Sequence, residues 1–316
     1  MGRVLPVVGT SRAFRETLGM VESLAGTDTT VLVTGESGTG KELVARLLVE
    51  TGTRRGAHLA QNCAALAEGT LESDLFGHVA GAFTGASATR RGLFEEAHGG
   101  TLFLDEIGEI GAKLQAQLLR ALQEGEIVRV GESRPRKVDV RVVAATNRNL
   151  AREVREGRFR EDLFYRLNVV QVRVPALRER RTDIPALVRC FLAESVRRDE
   201  PAESVVRPDT LERLVTYDWP GNVRQLRNEI LRATILTRGR RPIAPEDLSE
   251  ELRGPEHSAS GVTFRDRVGL AQRRIVEDAL RGAEWNKTRA ARTLGLSRQG
   301  LLKMMRRLGV PLTPTD

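Results

Sequence analysis

The chain has 316 residues, 40% of them hydrophobic, and a formal net charge of +8. That length allows one large domain with smaller ones beside it, and no apolar run approaches the ~20 residues a bilayer crossing needs. No N-terminal apolar core precedes a small-residue cleavage site, and Cys63 and Cys190 lack metal-ligand spacing, so the expectation is a cytoplasmic protein with two buried free thiols. Residues 265–316 hold twelve Lys/Arg against five Asp/Glu, net +7 in 52 residues. The basic excess thus belongs to one end, which predicts a polyanion partner for that end alone.

In chain order, residues 30–34 (Thr-Val-Leu-Val-Thr) read as a buried strand and 41–51 as the helix after it. A second strand spans 101–104 and ends at Asp105-Glu106. Residues 113–124 form an amphipathic helix, with Leu114, Leu118, Leu119 and Leu122 at three- and four-residue steps. Valine-dense strands follow at 138–145 and 169–174. Strands separated by helices predict a parallel sheet covered on both faces. From about Leu177 the strand signal stops, and 184–197, 208–217 and 223–237 read as helices, with Pro208 suited to a first turn. Residues 253–261 read as a Gly/Ser/Pro linker, and helices are expected near 264–281, 287–293 and 298–307.

The segment Gly35-Glu36-Ser37-Gly38-Thr39-Gly40-Lys41-Glu42 follows a strand and opens a helix, the setting a phosphate-binding loop requires. Its glycines let backbone N–H groups face phosphates, the helix N-terminus adds positive potential, and Lys41 can reach the β- and γ-phosphates. Position 42 carries Glu where the general motif has a magnesium-contacting hydroxyl, so metal binding leans on other groups and water. Asp105, at the end of a buried strand, is the candidate Mg²⁺ ligand, and Glu106 the candidate base for an attacking water. ATP and Mg²⁺ are therefore the expected cofactors.

Residues 286–298 have the layout of a helix-turn-helix. Ala290 and Ala291 permit close helix approach, Gly295 makes the turn, Ser297 can cap the second helix, and Leu301, Leu302 and Met305 face its core. Arg298 and Gln299 are candidates for base edges, with Lys303, Arg306 and Arg307 for phosphates.

The motif Gly81-Ala82-Phe83-Thr84-Gly85-Ala86 resembles the signature loop of bacterial enhancer-binding proteins, the AAA+ activators of sigma-54 RNA polymerase. Asn62-Cys-Ala-Ala-Leu66, Glu72-Ser-Asp-Leu-Phe-Gly-His78, Gly99-Gly-Thr-Leu-Phe-Leu-Asp105, Arg160-Glu-Asp-Leu-Phe-Tyr-Arg166 and Trp219-Pro-Gly-Asn-Val-Arg224 agree with that family. The similarity runs from about Val8 to Leu252, and Glu42 is usual there. The end of the chain resembles the Fis-type domain of many such proteins.

The resemblance implies an α/β P-loop AAA+ core with a helix-flanked parallel sheet (1–176), a small all-α lid (177–252), a linker (253–263) and an all-α helix-turn-helix domain (264–316). It implies a bacterial ATPase that binds a palindromic upstream site, pairs through its 264–281 helix, assembles from dimer to hexamer and remodels sigma-54 holoenzyme. Asn147 would sense the γ-phosphate, and Arg160 and Arg166 would act on the neighbouring subunit's nucleotide. Arg224 would contact nucleotide in cis, Asn62 would restrain Glu106, Val8-Gly9 would pack on adenine, and residues 81–86 would grip sigma-54. Val79-Ala80 stand where the family often has Glu then Lys or Ala, so coupling of that loop to nucleotide is expected to be weaker. A rival reading is a DNA-binding regulator that uses ATP only as an assembly switch, without sigma-54. No sensory domain precedes Val8, so control is expected from a partner protein, from expression level, from DNA occupancy or from a removed segment.

Overall fold

A computed structural model describes residues 7–195, 206–239, 241–253 and, in the C-terminal part, 276, 279–280, 282–283, 285–296, 298–308 and 310. The chain divides into two units, Met1–Leu252 and Arg253–Asp316.

Five strands form the parallel sheet: β1 (Val31–Thr34), β2 (His58–Asn62), β5 (Thr101–Asp105), β8 (Arg141–Thr146) and β9 (Val170–Arg173), in the order β2-β5-β8-β1-β9. Side chains alternate along each strand, so the sheet must be covered twice. Val31, Val33, Phe103, Val143, Ala145 and Val172 pack with Val44 and Leu48 of α2 (Lys41–Glu50) and Val21 of α1 (Arg12–Leu24). Leu32, Leu102, Leu104, Val142 and Ala144 point the other way, into a core built with α3 (Glu68–Phe76), α4 (Leu93–Glu96), α5 (Ala112–Glu124), α6 (Leu150–Arg155) and α7 (Glu161–Leu167). Central β8 is buried at all six positions.

The expected strands at 30–34, 101–104 and 169–174 lie within a residue of those observed, but 138–145 does not. Val138 donates to Gly125 O and closes a hairpin of β6 (Glu126–Val128) and β7 (Pro135–Lys137), so the buried strand begins only at Arg141. Edge strand β2 escaped the sequence reading because His58, Ala60 and Asn62 are exposed and only one neighbour, β5, pairs with it. A short hairpin of β3 (Gly77–His78) and β4 (Arg90–Arg91) was likewise not expected.

Beyond β9, α8 (Ile184–Ser195), α9 (Pro208–Thr216), α10 (Asn222–Thr237) and α11 (Glu250–Arg253) enclose a separate cluster around Trp219, which is fully buried and donates its indole N–H to Leu214 O at 2.7 Å. Most of the 264–281 helix and all but the first residue of the expected linker lie outside the described residues. No described helix is long and apolar enough to cross a membrane. Both cysteines are free, but only Cys63 is buried; Cys190 is half-buried, because it lies on the side of α8 that borders an apolar pocket.

The segment before α1 is fixed by one buried carboxylate. Asp183, with no exposed surface, accepts from Thr10 N (2.7 Å), Ser11 N (2.7 Å) and Ser11 Oγ (2.6 Å), while Ser11 Oγ caps α1 through Phe14 N. Removing the carboxylate strands these donors in a dry site. Asp183→Ala should therefore lower unfolding free energy by about 2–4 kcal/mol, and Ser11→Ala by about 1 kcal/mol, in urea denaturation.

Candidate active site

The phosphate loop runs from the end of β1 into α2. Gly40 has a left-handed backbone (φ 102°) as the α2 N-cap, and Gly38 also has positive φ (77°). Gly38 is required for a second reason: a Cβ there would stand 2.4 Å from Gly221 O of the lid. Thr39 Oγ1 donates to Glu36 O at 2.8 Å and so tightens the loop.

Lys41 is buried, its Nζ donating to Gly35 O (3.1 Å) and Glu36 O (3.3 Å). Burial lowers its pKa, opposed by the nearby carboxylates of Glu106 and Asp105. Those carboxylates share with it a cleft of about 300 Å³, lined also by Ser37, Gly38, Gly40, Glu42 and Arg224. Asp105 ends β5, and Glu106 turns sharply away with φ 52°, its N–H bonded to Asp105 Oδ1 at 2.9 Å. Strained geometry at such a position costs energy that the surrounding structure must supply.

Asn147 directly follows β8, and its backbone N–H donates to Glu106 Oε2 at 3.4 Å. Asn62 is brought level with Asp105 by the β2–β5 register, yet its side chain accepts from Ala64 N at 2.9 Å. The hydrogen bond seen on the Glu106 carboxylate comes from Asn147 N–H.

The lid closes over the loop through residues 221–224. Asn222, fully buried with φ 52°, accepts from Leu177 N (2.8 Å) and donates to Ser37 O (3.0 Å) and Glu36 Oε2 (3.1 Å). Arg224 donates from its backbone to Gly38 O and from Nη1 to Ser37 Oγ, both at 3.3 Å. Glu36 turns its carboxylate away from the loop toward Arg178 (2.8 Å), and this pairing, with Asn222, pulls its pKa down to about 2. Glu42 lines the cleft rim but is largely exposed and pairs with Arg46 at 3.7 Å. Sequence reasoning missed Asn222 and Arg178 as loop partners, although Asn222 stood within the quoted Trp-Pro-Gly-Asn motif.

Beside the cleft lies an apolar pocket of Val8, Phe14, Leu43, Leu187, Phe191 and Val223, reaching Thr39, Gly40, Arg180 and Cys190. Gly9 does not line it; a Cβ at Gly9 would meet Phe14 Cδ1 at 2.5 Å, so glycine lets Phe14 reach the wall.

Arg160, the N-cap of α7, and Arg166, on α7, are not among the residues that line this cleft. Both are exposed; Arg160 pairs with Asp162 (2.7 Å) and Arg166 donates to Leu122 O (2.9 Å). The Gly81–Ala86 segment sits on the β3–β4 hairpin, pinched by Gly81 N to Ala86 O (2.8 Å) and Ala86 N to Phe83 O (3.0 Å). Ala86 is buried, whereas Thr84 is exposed and Phe83 is 46% exposed, resting edge-on against His78 with centroids 5.1 Å apart. Uncharged Val79 bonds through its N–H to Val130 O of the second hairpin.

In the C-terminal unit, Asn286 caps the Lys287–Thr293 helix, Gly295 turns with φ 66°, and the Arg298–Leu308 helix follows. Ala290, Ala291, Leu301 and Met305 are buried, with Leu302 packed against them. Gln299 is exposed at the start of the second helix; Ser297 and the side chains of Arg298, Lys303, Arg306 and Arg307 lie outside the described residues.

Three family models match in succession: the sigma-54 interaction domain over residues 7–173, the AAA+ ATPase lid domain over 178–263, and the bacterial regulatory protein, Fis family, over 268–308. The transcriptional regulatory protein ZraR of Salmonella typhi is 46% identical over 302 residues, covering 95% of this chain and 68% of that protein. The DNA-binding transcriptional regulator NtrC of Azospirillum brasilense is 43% identical over 338 residues, covering 97% and 70%. The crystal structure of NtrX from Brucella abortus in complex with ATP superposes with a TM-score of 0.74 at 35% identity, covering 97% of this chain and 70% of that one. A P-loop AAA+ domain, a helical lid and a Fis-type helix-turn-helix in this order make the chain a member of the sigma-54-dependent transcriptional activators.

Proposed function

We propose that the chain is an ATP-driven activator that binds upstream DNA, assembles into a ring and remodels sigma-54 RNA polymerase holoenzyme for open-complex formation in the bacterial cytoplasm. The observation that carries this reading is the split site: loop, Lys41, Asp105 and Glu106 share one cleft, while Arg160 and Arg166 face solvent elsewhere on the same subunit.

The chain's own residues divide the work. Backbone N–H groups of Gly38–Lys41 and the Lys41 ammonium hold the β- and γ-phosphates, and Val8 and its apolar neighbours take the base. Glu106 is the carboxylate that takes a proton from the attacking water, with Asn147 beside it on the γ-phosphate side. The Asp105 carboxylate is the group that would hold a hard cation such as Mg²⁺, which would offset the negative charge of the phosphates. Among the described residues, the arginines lining the subunit's own cleft are Arg46, Arg224 and Arg227; Arg160 and Arg166 are not among them. Arg160 and Arg166 of the next subunit serve the leaving oxygens in a ring, and the lid contacts of Asn222 and Arg224 carry nucleotide state into domain movement.

The exposed Phe83-Thr84 tip is the contact for sigma-54, and the basic helix-turn-helix, paired with its copy, reads a palindromic site. Domain limits of 1–176, 177–252 and 264–316, joined by a linker, fit this division of labour.

ATPase specific activity should rise steeply with protein concentration. Arg160→Ala and Arg166→Ala should each cut turnover by about 10³-fold or more while leaving ATP affinity within a few-fold; activity independent of concentration would count against a shared site. Thr84→Ala should preserve turnover yet lose open-complex formation on a sigma-54 promoter, and equal transcription by both proteins would remove the loop assignment. This pair of assays also separates the activator from a regulator that uses ATP only for assembly. Gln299→Ala should weaken binding to the cognate site by about 1–3 kcal/mol with little change on unrelated DNA, measured by gel shift at fixed salt.

A further inference from the structure

Among the described residues nine large hydrophobic side chains are exposed, and five of them belong to two places. Tyr165, 65% exposed, and Val169 flank Arg166 at the end of α7. Leu231, Ile235 (also 65% exposed) and Leu236 lie on the second half of α10. An exposed apolar residue standing alone needs no explanation, but a grouping beside functional residues does.

Helical spacing orders the α10 residues. Arg224, Asn228, Leu231 and Ile235 follow at steps of four, three and four, so they form one row, and all are exposed. Leu226, Ile230 and Ala233 repeat those steps on the opposite face, buried in the lid core. Arg224 and Asn228 line the nucleotide cleft. The apolar pair therefore extends the cleft wall outward, with Ile235 roughly 10 Å along the helix from Asn228. On α7, Leu163 and Leu167 are buried while Tyr165 between them stands out, its ring tilted on Phe164 with centroids 5.3 Å apart.

We propose that these faces are the two halves of one head-to-tail interface: Tyr165 and Val169 of one subunit seat on the Leu231–Ile235 row of the next subunit's lid. This rests on the reading that Arg160 and Arg166 complete a neighbour's cleft. A subunit that brings Arg166 to that cleft also brings Tyr165 and Val169 to its rim, where the apolar row begins. Unlike surfaces meet, so every subunit offers one of each and the contact repeats around a ring. Two apolar pairs are small beside interfaces that hold permanently, so this seat fills at high protein concentration and empties on dilution. It also ties the arginine-bearing helix to the lid helix that rests on the phosphate loop.

Specific ATPase activity of the full chain against protein concentration gives an assembly midpoint, and a fluorescent ATP analogue gives nucleotide affinity. Tyr165→Lys and Ile235→Glu each place a charge in an apolar contact. Each should raise the midpoint roughly tenfold or more and leave ATP affinity within a few-fold. Both positions are on the surface, so the fold tolerates the change. The double variant should assemble better than either single one, because its opposite charges face each other across the seat. Leu236→Glu, comparably exposed but roughly 100° round the helix from Ile235, should leave the midpoint unchanged. The assignment falls if either single variant assembles like wild type, if the double variant loses as much as the singles combined, or if Leu236→Glu matches Ile235→Glu. Wild-type activity that stays flat with concentration would instead overturn the shared-site reading beneath it.

Discussion

The seating of the lid on the phosphate loop is the contact on which the site depends. Gly221 O approaches where a Cβ on Gly38 would stand 2.4 Å away, and Asn222 bonds at once to Leu177 N, Ser37 O and Glu36. Asn222 is buried and held at positive φ, a conformation that a non-glycine residue keeps only under constraint. That constraint comes from Trp219 just before it, itself at positive φ and sealed in the lid core with its indole N–H on Leu214 O. A hydrophobic anchor in one subdomain thereby sets the backbone that grips the other. Residues 221–224, the N-cap and first residues of α10, thus rest directly on the phosphate loop.

Much of this was legible as sequence, for identifiable reasons. β1, β5 and β8 are runs of mostly buried apolar residues and announced themselves, as did Leu114 and Leu118 on α5, while β9 was readable from its alternating valines. The phosphate loop was readable because glycines with positive φ are needed at fixed offsets from Lys41. Illegible were strand β2, which has no fully buried position, and the two short hairpins. Contacts were harder still. Nothing in the spacing of Glu36, Arg178 and Asn222 shows that they meet, and Asn62 stands level with Asp105 while bonding elsewhere.

Burial explains why some polar residues near the site are structural and others available. Asp183 spends its carboxylate on Thr10 and Ser11, fixing the strand of chain that brings Val8 and Phe14 to the apolar pocket. Cys63 sits against Asp105 and Glu106, and burial first, then those carboxylates, push its thiol up to about 12, so it stays neutral and inert. Arg160 and Arg166, on the other hand, are held by single exposed partners that a competing phosphate can replace at small cost.

Between the Asp105-Glu106 pair and the Phe83 tip, a series of fastened elements can be followed. Cys63 N bonds to Asp105 O, so the end of β2 is fastened to the strand that carries both acids. The next helix, α3, is clamped to α5: Glu72 accepts from Lys113 Nζ (2.7 Å) and Gln117 Nε2 (2.9 Å), and Gly111 has no side chain where the Glu68 carboxylate would meet one at 2.3 Å. Helix α5 in turn follows Glu106 after only a short turn, so α3 and α5 are both joined to the Asp105-Glu106 pair. At its far end α3 runs directly into β3 and the loop, where Ser73 Oγ meets His78 Nδ1 at 2.7 Å and His78 supports the Phe83 ring. The second hairpin braces the same loop, since Val79 bonds to Val130 and Gly131 leaves room for Ala82, a Cβ on Gly131 falling 2.7 Å from that of Ala82. With Val79 and Ala80 uncharged, the base of the loop is held by backbone bonds and packing, and α3 connects it to the elements that flank Asp105-Glu106.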